Sequence, residues 1–278
     1  MRNQINSRCI IGFVLVALLM LPSCKMGRKS PGDTAQNEVK LDKEKVAKDV
    51  REFVYPLPTS FEVTEMLNRI GAAYILNLSN PTSNVEKYLT EKAKALNLGV
   101  YSSDLSYAST YNQKQTTIEY MNVSKTLIDA LNISGVIDPD LIDKIEAIED
   151  DKEEMIKLIT NTFYDTYEHL NRNGRSAVSM LVIAGSWVEG LYVVTHITED
   201  TFNNKEMVNI VMKQKDSLDK LVELMNVTRD DPAIAETLAL LKPVRDIYDS
   251  IENGAITEAQ MNGITTEIAK VRAAIIEQ

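Results

Sequence analysis

The chain has 278 residues, of which 44% are hydrophobic and 25% charged, the balance of a globular protein and not of a disordered one. With 30 Lys and Arg against 40 Asp and Glu it carries a net charge of −10. It therefore lacks the cationic excess with which nucleic-acid binders neutralise phosphates, and no nucleic-acid partner is expected. Two cysteines and two histidines leave little for soft-metal or thiol chemistry, and no metal or cofactor is expected.

The amino terminus has the three parts of an export signal. Arg2 and Arg8 supply positive charge, and Ile10 to Leu21 form an apolar run. That run is too short to span a bilayer, which takes about 20 apolar residues, but it suits a cleaved leader. It ends Leu21-Pro22-Ser23-Cys24. This motif resembles the lipobox of bacterial lipoproteins, with an apolar residue three before the cysteine and a small one just before it. In total texture the chain is similar to the uncharacterised all-helical lipoproteins of Bacteroidetes-type bacteria.

The resemblance implies cleavage before Cys24, diacylation of its thiol and acylation of the new amine. The result would be a membrane anchor in the cell envelope. More than one chain is what a stable anchor needs, since a single acyl chain holds marginally. Lys25-Met26-Gly27-Arg28-Lys29 is basic, whereas surface-export signals of such lipoproteins are acidic after the cysteine. The expected address is the outer membrane facing the periplasm, with surface display the alternative. Loss of Arg2 and Arg8 with the leader takes the net charge to about −12, a value that favours solubility. Cys9 leaves with the leader and Cys24 is consumed by lipid, so no disulfide remains to brace the fold.

Residues 1–23 thus read as the signal peptide, 24–58 as the lipidated cysteine and a flexible tether, and 59–278 as an all-helical domain. Tyr55-Pro56-Leu57-Pro58 stops the tether, and Thr59-Ser60 offers a helix cap. Phe61, Val63, Met66, Leu67, Ile70, Tyr74 and Leu78 recur at the helical period, until Asn80-Pro81 breaks the run. A helix from Thr82 to Leu98 is expected next, ended by Gly99, and then a long one from Ser103 to Ile133. Gly135 and Asp138-Pro139 break the chain again, with Pro139 a first helical residue. Leu141 to Leu170 follows, with a join near Asp150-Asp151, and Asn173-Gly174 turns the chain. Met207, Val211, Gln214, Leu218, Leu221 and Met225 form one stripe. Ile234, Leu238, Leu241 and Ile251 form the next, which Pro243 should kink or split. Ile264, Ile268, Val271 and Ile275 form the last. No strand-length alternation occurs. The fold class is all-α, a multi-helix bundle or a short array of helical hairpins. A faint duplication is also visible, Gly99 to Tyr107 and Val182 to Gly190 each lying before a helix that ends in similar letters.

Two segments invite a functional reading. Ser176 to Ile197 has Glu189 as its only acidic residue and no Lys or Arg. It reads as the central helix of the bundle, apolar all round because it is buried all round. A carboxylate there needs a partner, because an unpaired buried charge is very costly. His196 lies two turns on along the same face, and Asp165, Glu168 and His169 stand on the preceding helix. Those groups could build an acid–base or metal site, or could simply be satisfied core residues. The Glu-x-x-His spacing of carboxylate-bridged di-iron bundles is absent. The second segment places Asp104, Tyr107 and Tyr111 on one helical face, with Tyr120 beyond. Such a face suits either helix packing or a groove for a sugar, a peptide or a partner helix. The candidate ligand-binding residues are therefore Asp104, Tyr107, Tyr111, Glu189 and His196. No G-x-S-x-G elbow and no phosphate-cradling glycine loop accompanies them. The expected function is a non-enzymatic, membrane-anchored binding protein with an envelope protein as partner. The alternative is a small-ligand binder or hydrolase built on Glu189 and His196.

Overall fold

The computed structural model describes residue 67 and residues 69–278, apart from 137, 139, 149, 150 and 198–200. The leader, Cys24, the tether, the Thr59-Ser60 cap and the stripe positions Phe61, Val63 and Met66 lie outside the described residues. So do Pro139 and Asp150. The described residues belong to one compact unit and contain helices and turns without a strand.

In chain order the helices are α1 (Glu91–Thr110), α2 (Lys114–Ala130), α3 (Leu141–Ala147), α4 (Lys152–Arg172), α5 (Ser176–His196), α6 (Lys205–Asn226), α7 (Pro232–Asp249) and α8 (Glu258–Ile276). Their starts are set by side chains that accept the first free amides. Thr90 caps α1, Asp151 caps α4, Asn204 caps α6, and Asp231 caps α7 with Pro232 in its first turn. Thr257 and Gln260 form a reciprocal capping box on α8. Several stops use the left-handed conformation, at Asn112, Asn132 and Gly174.

Helices α1 and α5 form the centre. Their partners advance together along both chains: Glu91 bonds Arg175, Gly185 abuts Leu96, Gly99 abuts Val182 and Ser186, and Gly190 faces Ser103. The two helices are therefore parallel, and glycine sets their spacing. A Cβ on Gly99 would stand 2.0 Å from the Val182 carbonyl oxygen, and one on Gly185 1.9 Å from that of Leu96. Only a residue without a side chain permits this approach. Helix α5 is long and apolar enough to cross a membrane, yet 89% of its most apolar stretch is buried inside the bundle. It is the core helix expected from its composition.

Around this pair the packing repeats. Helix α1 rests on α2 and α4 as α5 rests on α6 and α8; α4 touches α5 as α8 touches α1; α2 touches α3 as α6 touches α7. The match is partial, because α7 also packs on α5 and α8 whereas α3 makes no comparable contact with α1 or α4 among the described residues. The register that matches these roles pairs Asp104 with Glu189, Tyr107 with Tyr192 and Thr110 with Thr195. It differs from the register read between Gly99–Tyr107 and Val182–Gly190.

Five boundaries depart from the sequence reading. The helical stripe expected through Ile70, Tyr74 and Leu78 is not a helix there: residues 72–75 are irregular and only Leu76–Leu78 forms a 3-10 turn. Residues 82–98 are not one helix: Thr82–Lys87 is a 3-10 turn, and α1 begins only at Glu91. Gly99 does not end a helix but lies inside α1, where it serves the close approach to α5. The helix expected from Ser103 to Ile133 is two, because Asn112 turns left-handed and Gln113 N–H returns to the Ala108 carbonyl. Pro243 leaves α7 continuous. Pro243 and Ala239 are both exposed, so the Ala239 carbonyl that loses its amide partner can bond water instead. The join in Leu141–Leu170 and the turn at Asn173-Gly174 are where they were expected.

Candidate functional site

Glu189 sits at mid-helix in α5, fully buried. Its partner comes from the last helix. Arg272 Nε donates to Oε2 at 2.7 Å and Nη2 to Oε1 at 2.8 Å, the parallel fork geometry that makes guanidinium–carboxylate pairs strong. Nη2 also donates to the Leu78 carbonyl at 3.0 Å. The guanidinium lies over the Tyr192 ring, 4.1 Å from its centre, and Tyr192 stacks on His196 at 4.0 Å. Burial alone would lower the Arg272 pKa, but the Glu189 carboxylate outweighs it and Asp104 adds to the effect, so the guanidinium is held firmly charged.

His196 is on the same face as Glu189, as the spacing requires, but Tyr192 stands between them. Its Nδ1 lies 2.9 Å from the Tyr192 carbonyl. Since a carbonyl only accepts, Nδ1 carries a hydrogen. Burial lowers its pKa, with the Tyr192 bond opposing and Arg272 assisting. Asp165 is exposed, and Glu168 pairs with Arg172 at the surface. Among the described residues no three His, Cys, Asp or Glu side chains gather as a metal site would need.

Asp104 of α1 is the second fully buried acid. Its Oδ2 accepts from the Asn80 amide at 3.0 Å, while Oδ1 has no hydrogen-bond partner. The Ser79 hydroxyl is near but is not in bonding geometry. Burial, reinforced by Glu189, raises the Asp104 pKa well above the usual carboxyl range; Arg272 and the Asn80 amide only moderate this. Two acids thus share one guanidinium. Glu189 holds it by two bonds, whereas Asp104 has no bond to it, and burial beside Glu189 pushes the Asp104 carboxyl toward its protonated form.

Over this cluster lies the segment from Ala72 to Thr90, here termed the strap. It contains the 3-10 turns Leu76–Leu78 and Thr82–Lys87. Its main chain is held by side chains from the helices. Tyr107 Oη accepts from the Ile75 amide at 2.9 Å, and Asp104 accepts from Asn80. Tyr120 donates to the Asn80 carbonyl at 3.2 Å, Tyr101 to that of Pro81 at 3.0 Å, and Arg272 to that of Leu78. The Asn80 side chain bonds Tyr88 at 2.9 Å. Tyr107 and Tyr111 pack with Tyr74 of the strap, ring centres 4.8 to 5.6 Å apart. Burial raises every one of these phenols, Tyr74 to about 12, so all are neutral donors and acceptors at physiological pH.

The structure therefore brings Asp104, Tyr107, Tyr111 and Glu189 into one neighbourhood and leaves His196 one ring removed. The tyrosine face expected to suit either packing or a groove is packed: the protein's own strap covers it. Arg272, Asn80, Tyr74 and Tyr101 complete the site and were not singled out from the sequence. Elsewhere among the described residues the cavities are small or shallow. One between α1, α2, α4 and α5, bounded by Leu105, Met121, Phe163 and Val182, has about 30 Å³ of accessible space, room for about one water. No protein-family model matches the chain, and no curated protein or solved structure matches it at a significant level.

Proposed function

We propose that the protein is a lipid-anchored component of the cell envelope that binds a protein partner and performs no chemistry of its own. The observation that carries this reading is the division of side chains at the strap. Asp104, Tyr107 and Glu189 are spent inward on the strap and on Arg272, and are fully buried. On its outside the same segment exposes Ile75, Leu76 and Leu89, the last two by 64% and 79%. Exposed apolar groups of this size are what a protein contact covers. The anchor follows from the lipobox-like Leu21-Pro22-Ser23-Cys24, and the tether would give the domain reach from the membrane.

A hydrolase or small-ligand site on Glu189 and His196 would need an open path to the carboxylate. Glu189 has no exposed surface and both of its oxygens are engaged. The test is crosslinked affinity purification from host membranes, comparing the native chain with Cys24→Ala, together with mass analysis of the peptide bearing Cys24. Acylated Cys24 and one specific protein recovered with the native form alone support the reading. An unmodified Cys24, or the same absence of partners in both forms, overturns it.

A further inference from the structure

We propose that the face formed by α1, α2 and α8 beneath the strap is a binding site for a peptide segment, that residues 75–81 are its resident occupant, and that the same segment of a second copy of this chain can replace them. This goes beyond the anchoring and partner reading and does not depend on the lipid.

The first ground is the mode of attachment. Five main-chain groups of the strap meet side chains of the helical body: the Ile75 amide, the Leu78 carbonyl, both Asn80 groups and the Pro81 carbonyl. Elements of a bundle ordinarily satisfy their main chain within themselves and meet through apolar side chains. Side chains that read a neighbouring main chain are the device of a peptide receptor, where main-chain bonds give affinity and pockets give selectivity. The pockets take Leu78, Ser79 and Asn80, all buried, while Ile75 and Leu76 point outward.

The second ground is that the strap can leave without orphaning the face beneath it. Arg272 keeps both oxygens of Glu189. The tyrosine hydroxyls and the Asp104 carboxyl would meet water. Removal of the lid is then a local opening and not global unfolding. The strap's joints are also open: Gly71 is left-handed with open space where a Cβ would stand, and Leu89 is exposed just before α1 begins.

The occupant follows from complementarity. The one sequence seen to fit is Ile75-Leu-Asn-Leu-Ser-Asn-Pro81, and every copy of the chain carries it. Exchange of an identical arm between two copies restores each bond in its original geometry, which makes it a low-cost route to a dimer.

The test uses a fluorescein-labelled peptide of residues 72–90 and the purified full chain, read by fluorescence anisotropy. Leu78→Asp in the full chain weakens the resident strap and alters no side chain of the face beneath it. That variant is expected to bind the peptide at least ten-fold more tightly than the wild type, and a peptide carrying the same substitution is expected to bind neither. Light scattering after incubation at high concentration should show wild-type dimers of about twice 31.2 kDa and monomers of the variant. No peptide binding by a folded Leu78→Asp chain overturns the site. Peptide binding without dimers overturns the second copy as its occupant. If Leu78→Asp fails to fold, amide exchange of Ile75 and Asn80 in the wild type decides. Exchange faster than at the centre of α5 supports the proposal, and exchange at the rate of global unfolding overturns it.

Discussion

The Arg272–Glu189 pair permits a quantitative test, because its two halves are not equivalent. Arg272→Met leaves a buried carboxylate without a cation, frees the Leu78 carbonyl and removes the guanidinium from Tyr192. Breaking a buried pair from one side costs about 3–5 kcal/mol, and Arg272→Met is expected near 4. Glu189→Gln leaves the guanidinium with a second acid close by. Asp104, now without a charged neighbour to repel it, can ionise and take over part of the pairing. That substitution is expected to cost about 2 kcal/mol, below the usual range for an abandoned buried charge. The double variant leaves no unpaired charge and should cost at least about 2 kcal/mol less than the sum of the singles.

Urea unfolding at pH 7 followed through Trp187, the only tryptophan and a buried one, reads these differences. In melting temperature, Arg272→Met should lose about 8–16 °C for a domain of this size. Additive singles, or an Arg272→Met chain within about 1 kcal/mol of wild type, would refute the account of the site.

Four further substitutions have expected outcomes. Gly185→Ala should destabilise by about 3 kcal/mol or more, because the new methyl meets main chain that cannot yield. Gly263→Ala should be neutral or stabilising by up to about 1 kcal/mol, since it meets only the movable tip of Ile247 at 3.2 Å; equal losses in urea titrations would contradict the parallel α1–α5 contact. Asp104 has a folded pKa above its unfolded value of 3.8, so its contribution is fully present below that value and is lost as pH rises toward the folded value. Asp104→Asn should therefore gain on wild type between pH 4 and pH 8, by no more than about 1.4 kcal/mol per pH unit, and a pH-independent difference in chemical denaturation would exclude this titration. Asp231→Ala should cost about 1 kcal/mol by freeing the Ala233 amide at the start of α7, a loss that circular dichroism melts can detect.

What could be read from the sequence was local. The stripe Met207, Val211, Gln214, Leu218, Leu221 and Met225 became the buried face of α6 because a 3.6-residue period fixes which side chains share a side. The poverty of charge in Ser176–Ile197 correctly marked the core helix. Gly99 misled because glycine serves two purposes, ending a helix and admitting a neighbour, and only the neighbour distinguishes them. Glu189 was recognised as needing a partner, but that partner is 83 residues away, beyond any periodic pattern. A clue was present nonetheless. Arg272 falls four after Ile268, inside the stripe Ile264, Ile268, Val271 and Ile275, and a cation in a core phase implies an anion in another. Asp104 and Tyr107 were rightly placed on one face. Their ligand was invisible because it is main chain, which every residue carries alike.

The parallel α1–α5 pair also governs how the chain must reach its fold. Neighbouring helices in a hairpin can meet as soon as both exist, whereas Glu91 and Arg175 are 84 residues apart. Closing a loop of that length costs on the order of 4 kcal/mol before any contact repays it, which places this bundle among the slower helical folders. At about 5–20 residues per second a ribosome needs several seconds to pass from the end of α1 to that of α5. Throughout that interval the glycine face of α1 has nothing to lie against. A nascent chain halted before Ser176 would hold helices α1 to α4 and still lack the surface that joins them. The repeat in the packing is therefore not a repeat of independent folding units: neither half closes until the other supplies its central helix.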